Sequence, residues 1–87
     1  MVSRKITIQN EHGLHARVAT QLAKMSKGLD SKITICKDCT RADGCSVLQL
    51  LLLGAGRGSE IELIIEGGRE NENLRTVTRL FSEGEGI

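Results

Sequence analysis

Polar and apolar positions alternate in three stretches of the chain, a pattern that predicts half-buried β-strands. The three stretches are Val2 to Gln9, Ile33 to Cys36 and Glu60 to Glu66. An additional short strand is expected near Thr40 to Ala42, after a tight reversal at Lys37-Asp38. Asp43-Gly44 breaks that element, and Gly67-Gly68 ends the last strand.

Three other stretches show the spacing of apolar residues that is typical of helices. The first runs from Ala16 to Ser26, with Gly28 as its stop signal. The second, from Ser46 to Leu53, is rich in leucine, which favours helix over strand, and Gly54 closes it. The last places Leu74, Val77 and Phe81 on one face and leads into a loose glycine-rich tail.

The element order predicts an α+β fold, an open-faced β-sandwich of the order βαββαβα. We expect a four-stranded, mainly antiparallel sheet with about three helices on one face. The 87 residues contain no internal repeat, linker or proline, so we interpret residues 1–87 as one domain around one core. In the leucine-rich helix, Leu50 and Leu53 are the predicted core residues, and helix geometry leaves other leucines exposed.

Charge and composition exclude several classes of function. Lys and Arg number 12 and Asp and Glu number 11, so no excess charge is available for nucleic acid or anionic lipid. Phe81 is the only aromatic residue, which excludes the stacking surfaces of single-strand readers. The longest apolar stretch, Val47 to Ala55, is too short to span a membrane, and no secretory signal is visible. We therefore expect no nucleic-acid or membrane partner.

The three cysteines, an odd number at irregular spacing, fit reduced thiols in the cytoplasm rather than a secreted disulfide framework. Cys36 and Cys39 are expected to flank the hairpin turn, and the second ligand pair of a structural zinc site is missing. The stretch from Gly54 to Ser59 lacks the spacing of a nucleotide loop and is interpreted as a flexible connection. We expect no metal or other cofactor, and His12 is interpreted as a loop residue.

The strongest chemical signal is Gly13-Leu14-His15-Ala16-Arg17, which places His15 at the start of the first helix. The first N–H groups of a helix lack internal partners and the helix dipole adds partial positive charge, so an anion is stabilised there. The same field disfavours a doubly protonated ring, which leaves one nitrogen free to attack. Arg17 is placed to pair with phosphoryl oxygens. From spacing alone, a solvated loop histidine beside a solvated arginine remains the alternative.

This segment, after a first strand and before a helix of small residues, resembles the active-site segment of HPr, the histidine-containing phosphocarrier of the bacterial phosphotransferase system. The similarity extends over nearly the whole chain, including Ser46, Gly54, the strand entry from Gly58 and the final helix to Ser82-Glu83-Gly84.

The resemblance implies that enzyme I, charged from phosphoenolpyruvate, phosphorylates His15 on the ring nitrogen nearer the backbone. Arg17 would steady the phosphoryl group, and an acceptor of the IIA type would receive it. The protein would then be a monomeric, stoichiometric carrier rather than an enzyme.

The chain departs from the family pattern at Val18 and in the residues that flank Ser46. Val18 stands where the family has proline. Its backbone N–H, which proline lacks, is expected to alter the preorganisation of the site and with it the rate of phosphoryl transfer. Ser46 matches a position that a dedicated kinase phosphorylates in many Gram-positive members, yet Cys45 and Val47-Leu48 replace the usual neighbours. A Ser46 that a serine kinase regulates and a simple N-cap of the short helix are therefore both open. The leucines after Ser46 resemble the nitrogen-related HPr branch of proteobacteria.

By analogy with the family, the partner surface is expected beside His15, at Ala16, Val47, Leu48 and Leu51. The alternative for these residues is packing within the fold. A candidate function from another class is a regulatory HPr-like module that signals by its phosphorylation state through protein binding. Sugar uptake and nitrogen control are both open as the output of a carrier.

Overall fold

The computed structural model describes residues 1–9 and 13–83, so the interpretations of His12 and of the glycine-rich tail fall outside the described residues. Within the described ranges, four strands and three helices follow one another in the predicted order. They are β1 (Val2–Thr7), α1 (Ala16–Gly28), β2 (Ser31–Lys37), β3 (Thr40–Asp43), α2 (Val47–Leu52), β4 (Glu60–Gly67) and α3 (Glu70–Glu83).

The strands form one sheet in the order β1-β4-β2-β3, and each neighbouring pair is antiparallel. In β4, Ile61, Leu63 and Ile65 are buried, because every second side chain of a strand points to the same face. Ile33 and Ile35 of β2 pair with Ile65 and Leu63 and are buried with them. The predicted α+β open sheet is confirmed.

The helices cover the buried face of the sheet, and their apolar residues join the strand residues in one core cluster. The helical members include Val18, Ala19 and Leu22 of α1, Leu50 of α2, and Val77, Leu80 and Phe81 of α3, with Leu53 just after α2. The predictions of Leu50 and Leu53 as core residues are confirmed, since their exposed fractions are 0% and 7%.

The hairpin between β2 and β3 turns one residue later than the sequence suggested. Lys37 pairs with Thr40, so the two turn residues are Asp38 and Cys39 rather than Lys37-Asp38. Both turn residues have a positive φ, 48° and 69°, which suits the twist of a two-residue hairpin. Cys39 therefore lies within the turn instead of flanking it.

The helix ends follow the predicted glycines only in part. Gly54 closes α2 with a φ of 63°, as expected for a left-handed cap. In contrast, α1 ends at Gly28 but is capped by Leu29 in an extended conformation, whose N–H donates to the oxygen of Ser26 at 3.3 Å. α3 begins at Glu70, earlier than the apolar pattern from Leu74 indicated. The first turn of the helix is polar, so the apolar spacing did not mark it.

Backbone hydrogen bonds tie the connection from Gly54 to Ser59 to the segments beside it. The Ser59 oxygen accepts the N–H of Ile8 at 2.9 Å, and Gly58 donates its N–H to the Ile8 oxygen at 3.0 Å. Ala55 is buried, and its oxygen accepts the N–H of Leu14 at 2.8 Å. The connection therefore supports the segment that leads to α1 through backbone hydrogen bonds.

Candidate functional site

His15 is the N-cap residue of α1, at the helix start where the sequence placed it. Its backbone is extended, with φ −92° and ψ 179°, and its side chain is half-buried. The Nδ1 atom accepts the N–H of Arg17 at 3.2 Å. A ring nitrogen that accepts a hydrogen bond carries no proton, so the proton of the neutral ring lies on Nε2. The Nδ1 lone pair therefore carries no proton and faces the first turn of the helix, where the Arg17 N–H engages it.

The first turn of α1 offers partial positive charge without a carboxylate of its own. Ala19 is the residue at which the helical bonding pattern begins, with its N–H donating to the His15 oxygen at 2.8 Å. No acidic residue lies in this turn, whereas the first turn of α3 holds Glu70 and Glu72. Because unpaired amides and the helix dipole favour negative charge, the start of α1 is suited to an external anion.

Arg17 lies in the same turn, and its side chain is exposed. The ion pairs within residues 1–9 and 13–83 do not involve it. Its guanidinium can therefore pair with an oxyanion near His15 without first breaking a salt bridge.

Contacts with the loop after α2 position the segment before His15. Leu14 is buried, and its N–H donates to the Ala55 oxygen at 2.8 Å. Gly13 has a φ of 65°, and a Cβ there would lie 2.5 Å from both the Ala55 oxygen and the Gly56 Cα. A side chain cannot fit at this close approach, so glycine is required. Sequence reasoning missed Ala55 and Gly56 as this support, although Gly13 and the glycine-rich stretch were visible signals.

Ser46 is the N-cap residue of α2, which matches the structural alternative considered for it. Its Oγ accepts the N–H of Gln49 at 3.2 Å, and its backbone oxygen accepts the N–H of Leu50 at 3.1 Å. The Gln49 side chain also bonds to the preceding strand, because its Oε1 accepts the N–H of Asp43 at 2.8 Å. This arrangement joins the start of α2 to the end of β3.

Apolar side chains on α2 remain exposed beside the helix that begins at His15. The exposed fractions are 68% for Leu48 and 39% for Leu51, while Val47 is half-buried. Leu52, which the sequence analysis did not single out, is the most exposed of these leucines at 74%. Its spacing of four residues from Leu48 places both on one helix face, and this spacing was the available signal. Ala16 of α1 is exposed as well.

The face of the sheet that the helices do not cover carries a cavity of about 550 Å³, and His15 does not line it. Its lining includes Lys5, Cys36, Arg41 and Glu62, which are neighbours across the strands. No three His, Cys, Asp or Glu side chains in the described part of the chain are placed to hold a metal ion. No helix there has the length and apolar character needed to cross a membrane.

Comparisons with known proteins agree on one family. The family model described as "PTS HPr component phosphorylation site" matches residues 2–83. The phosphocarrier protein HPr of Treponema pallidum (strain Nichols) is 36% identical over 81 residues, which cover 93% of this chain and 92% of that protein. The phosphocarrier protein NPr of Shewanella violacea is 44% identical over 79 residues, which cover 91% of this chain and 87% of that protein.

The fold comparison agrees with the sequence comparison. A crystal structure of HPr from Thermoanaerobacter tengcongensis superposes with a TM-score of 0.92 at 29% identity, covering 100% of this chain and 98% of that one.

Proposed function

Because the chain belongs to the HPr family of phosphocarrier proteins, we propose that His15 accepts a phosphoryl group from phosphoenolpyruvate-charged enzyme I. The group then passes to an acceptor of the IIA type. A phosphocarrier role in the phosphotransferase system follows from family membership. Beyond that role, we propose enzyme I and a IIA-type protein as the partners and His15 as the phosphorylated residue. We also propose that the protein acts in the cytoplasm.

The observation that carries the proposal is the hydrogen bond from the Arg17 N–H to Nδ1 of His15 at 3.2 Å. It leaves the Nδ1 lone pair unprotonated and beside the positive end of α1. In the reaction, the Arg17 N–H releases the Nδ1 lone pair, which attacks phosphorus while the bond from phosphorus to the donor breaks. The donor keeps the electron pair of that bond, and His15 gives up its Nε2 proton to a base or to solvent.

The half-buried position of His15 suits transfer to and from a second protein. A carrier must present the same atom to a donor and to an acceptor, so the reacting group cannot lie in a deep pocket. The flanking Arg17 would hold the phosphoryl oxygens, because charge-assisted hydrogen bonds from an arginine suit a phosphate. The chain thus acts as a stoichiometric carrier, with partner proteins completing each transfer.

The partner surface that we propose consists of Ala16, Val47, Leu48, Leu51 and Leu52. Exposed leucines beside a reactive group are typical of a protein interface, whose centre is apolar and whose rim is polar. As a monomer, the protein would present this same surface first to the donor and then to the acceptor. Each complex should therefore be small and transient. Regulation by a serine kinase at Ser46 would act at the edge of this surface.

The test is a reconstituted transfer reaction with enzyme I, phosphoenolpyruvate and a purified IIA-type acceptor. We expect the wild-type protein to acquire acid-labile phosphate and then pass it to the acceptor. His15→Ala should abolish both steps and still fold, with a loss of about 1 kcal/mol in the free energy of unfolding because the N-cap acceptor of α1 is removed. Label retained in a folded His15→Ala variant would contradict the proposed role of His15.

The regulatory module is the second candidate, and the same reaction separates it from the carrier. A regulator would accumulate phosphoprotein and would not pass the group to any IIA-type acceptor. The exposed apolar face of α2 is the observation that favours keeping this candidate, because a binding module also needs such a surface.

A further inference from the structure

The cavity on the uncovered face of the sheet contains two thiols among charged side chains of both signs. Cys36 and Cys39 line it, and the charged residues around them include Lys5, Arg41, Glu60 and Glu62. Its volume of about 550 Å³ falls in the range of small-molecule sites, which is about 300–1,000 Å³. The phosphocarrier function makes no use of this face, since His15 does not line the cavity.

Cys36 lies within a row of residues that crosses all four strands. It pairs with Arg41 of β3 on one side and with Glu62 of β4 on the other. Glu62 in turn pairs with Lys5 of β1. Residues paired in this way present their side chains on the same face, and neighbouring strands lie about 4.8 Å apart. The thiol is therefore flanked by one cation about 5 Å away and by a second about 10 Å away on the other side.

The two cations in this row are available to a ligand. Both Lys5 and Arg41 are exposed, and the ion pairs within residues 1–9 and 13–83 involve neither of them. In contrast, the Lys37 ammonium at the edge of the cavity lies 3.5 Å from a carboxylate oxygen of Asp38. Lys5 and Arg41 can thus bind carboxylates without first breaking a salt bridge.

The order of charges along the row indicates one class of ligand. A low-molecular-weight thiol with its sulfur between two carboxylate ends could bond to Cys36 and reach Arg41 with one carboxylate and Lys5 with the other. An ammonium group on the longer arm would lie beside Glu62, which is half-buried between Lys5 and Cys36. A purely anionic ligand would leave the carboxylates of the cavity unmatched, so the ligand should be zwitterionic.

We propose that Cys36 is a modification site that forms a mixed disulfide with a zwitterionic low-molecular-weight thiol. The reaction is an exchange with the disulfide form of that thiol, which is the oxidant. Cys36 gives up its proton to solvent, and its thiolate attacks one sulfur of the disulfide. The sulfur–sulfur bond of the reagent breaks, and the released half leaves as a thiolate that takes up a proton.

The test compares two disulfide reagents on reduced wild-type protein. Glutathione disulfide is the zwitterionic probe, and bis(2-hydroxyethyl) disulfide is the uncharged comparison. Tryptic cleavage after Lys37 and Arg41 places the three cysteines on separate peptides, so mass spectrometry reports the modification of each one.

Cys45 lies outside the cavity and serves as the internal reference. We expect the preference for Cys36 over Cys45 to be about fivefold greater with glutathione disulfide than with the uncharged reagent, as for ~1 kcal/mol of charge pairing. An equal preference with both reagents would overturn the proposal. Glutathione found only on Cys39 or Cys45, or an internal disulfide between Cys36 and Cys39 without bound glutathione, would overturn it as well.

Lys5→Gln and Arg41→Gln test the two cations separately. Each substitution removes one charge from an exposed side chain, so the fold should tolerate it. We expect each variant to react at Cys36 about threefold more slowly with glutathione disulfide, and at an unchanged rate with the uncharged reagent. Lys24→Gln on α1 is the matched control, because this exposed lysine does not line the cavity. Glutathione rates that stay at the wild-type value in both cavity variants would refute the role of the charged row.

This site and the proposed carrier function fail in different ways, because the thiol assay needs neither enzyme I nor His15. If Cys36 shows the charge-dependent preference but enzyme I never labels His15, the carrier proposal fails and the modification site stands. If enzyme I labels His15 and Cys36 shows no such preference, the carrier proposal stands and the modification site fails.

Discussion

Leu14 donates its backbone N–H to the oxygen of Ala55 at 2.8 Å, and this bond joins the segment that leads to His15 to the loop after α2. The two segments are far apart in sequence, so the N-cap position of His15 depends on a tertiary contact as well as on the start of α1. Gly13 permits the contact because its φ of 65° and its missing side chain allow the backbones to meet.

Gly13→Ala tests this contact. The new Cβ would lie 2.5 Å from the Ala55 oxygen and from the Gly56 Cα, and alanine would be strained at this φ. We expect the free energy of unfolding to fall by about 1–3 kcal/mol and labelling of His15 by enzyme I to slow. Gly28→Ala is the matched control, because nothing lies within 4 Å of the position that its new methyl group would take and its φ is not positive. That variant should be neutral or slightly more stable, as measured by urea unfolding.

Arg17→Ala tests the contribution of the Arg17 guanidinium separately from that of its backbone N–H. The substitution keeps the backbone N–H of residue 17 that donates to Nδ1 of His15 and removes only the exposed guanidinium. We expect phosphoryl transfer to slow about tenfold, the equivalent of one charge-assisted hydrogen bond, while stability stays within about 0.5 kcal/mol of wild type. Arg75→Ala on α3 controls for the loss of an arginine elsewhere. A large loss of stability in Arg17→Ala, or an unchanged transfer rate, would count against the assigned role.

Ser46→Ala measures the cap of α2. The Oγ atom accepts the N–H of Gln49 at 3.2 Å, and its removal leaves that amide without a cap. We expect a loss of about 1 kcal/mol in urea unfolding. Ser46→Asp keeps an acceptor at the N-cap and should stay within about 0.5 kcal/mol of wild type. Equal stability of all three proteins would show that this hydrogen bond contributes nothing measurable.

Leu48→Ser tests the apolar surface of α2. Leu48 is 68% exposed, so its replacement should leave stability within about 0.5 kcal/mol of wild type. If the surface docks enzyme I, the KM for transfer from enzyme I should rise about fivefold, which corresponds to ~1 kcal/mol of binding energy. Ile64→Ser, on the opposite face of the sheet, is the control for loss of an apolar side chain. An unchanged KM in Leu48→Ser would remove that residue from the docking surface.

The sequence was most informative where a repeating pattern had one structural solution. Ile61, Leu63 and Ile65 could be buried together only on one face of a strand, and the structure places them there. The turn at Asp38 and Cys39 was misplaced by one residue because cysteine is not a residue type that signals a positive φ.

The site divides in a similar way. The position of His15 follows from a local helix start, which sequence spacing indicates. The support from Ala55 and Gly56 depends on a contact between distant segments, for which periodicity carries no information. Leu52 lies one turn after Leu48, so the sequence places both leucines on the same face of α2. The packing of Leu50 and Leu53 into the core then decides that this face points outward.

Glu70 gives the fold a dependence on acid that is independent of the candidate site. The N-terminal ammonium lies 2.8 Å from Oε2 of Glu70 and, together with the N–H of Gly67 at 2.9 Å, holds the pKa of this carboxyl below its ordinary value. Partial desolvation acts in the opposite direction and is outweighed. Since the folded pKa is lowered, the ionised form favours the native state. The stabilisation is fully present above the ordinary glutamate pKa and is lost as the pH falls through the folded pKa.

Glu70→Gln should therefore be less stable than wild type at pH 7, and the difference should disappear as the pH falls through the folded pKa. Urea unfolding of both proteins at intervals from about pH 7 to pH 3 measures this convergence, because a glutamate titrates within that range. Glu72→Gln, from the same turn of α3, controls for the loss of a carboxylate that does not contact the N-terminus. A constant difference between wild type and Glu70→Gln across the whole range would show that the contact with the N-terminal ammonium does not stabilise the protein in solution.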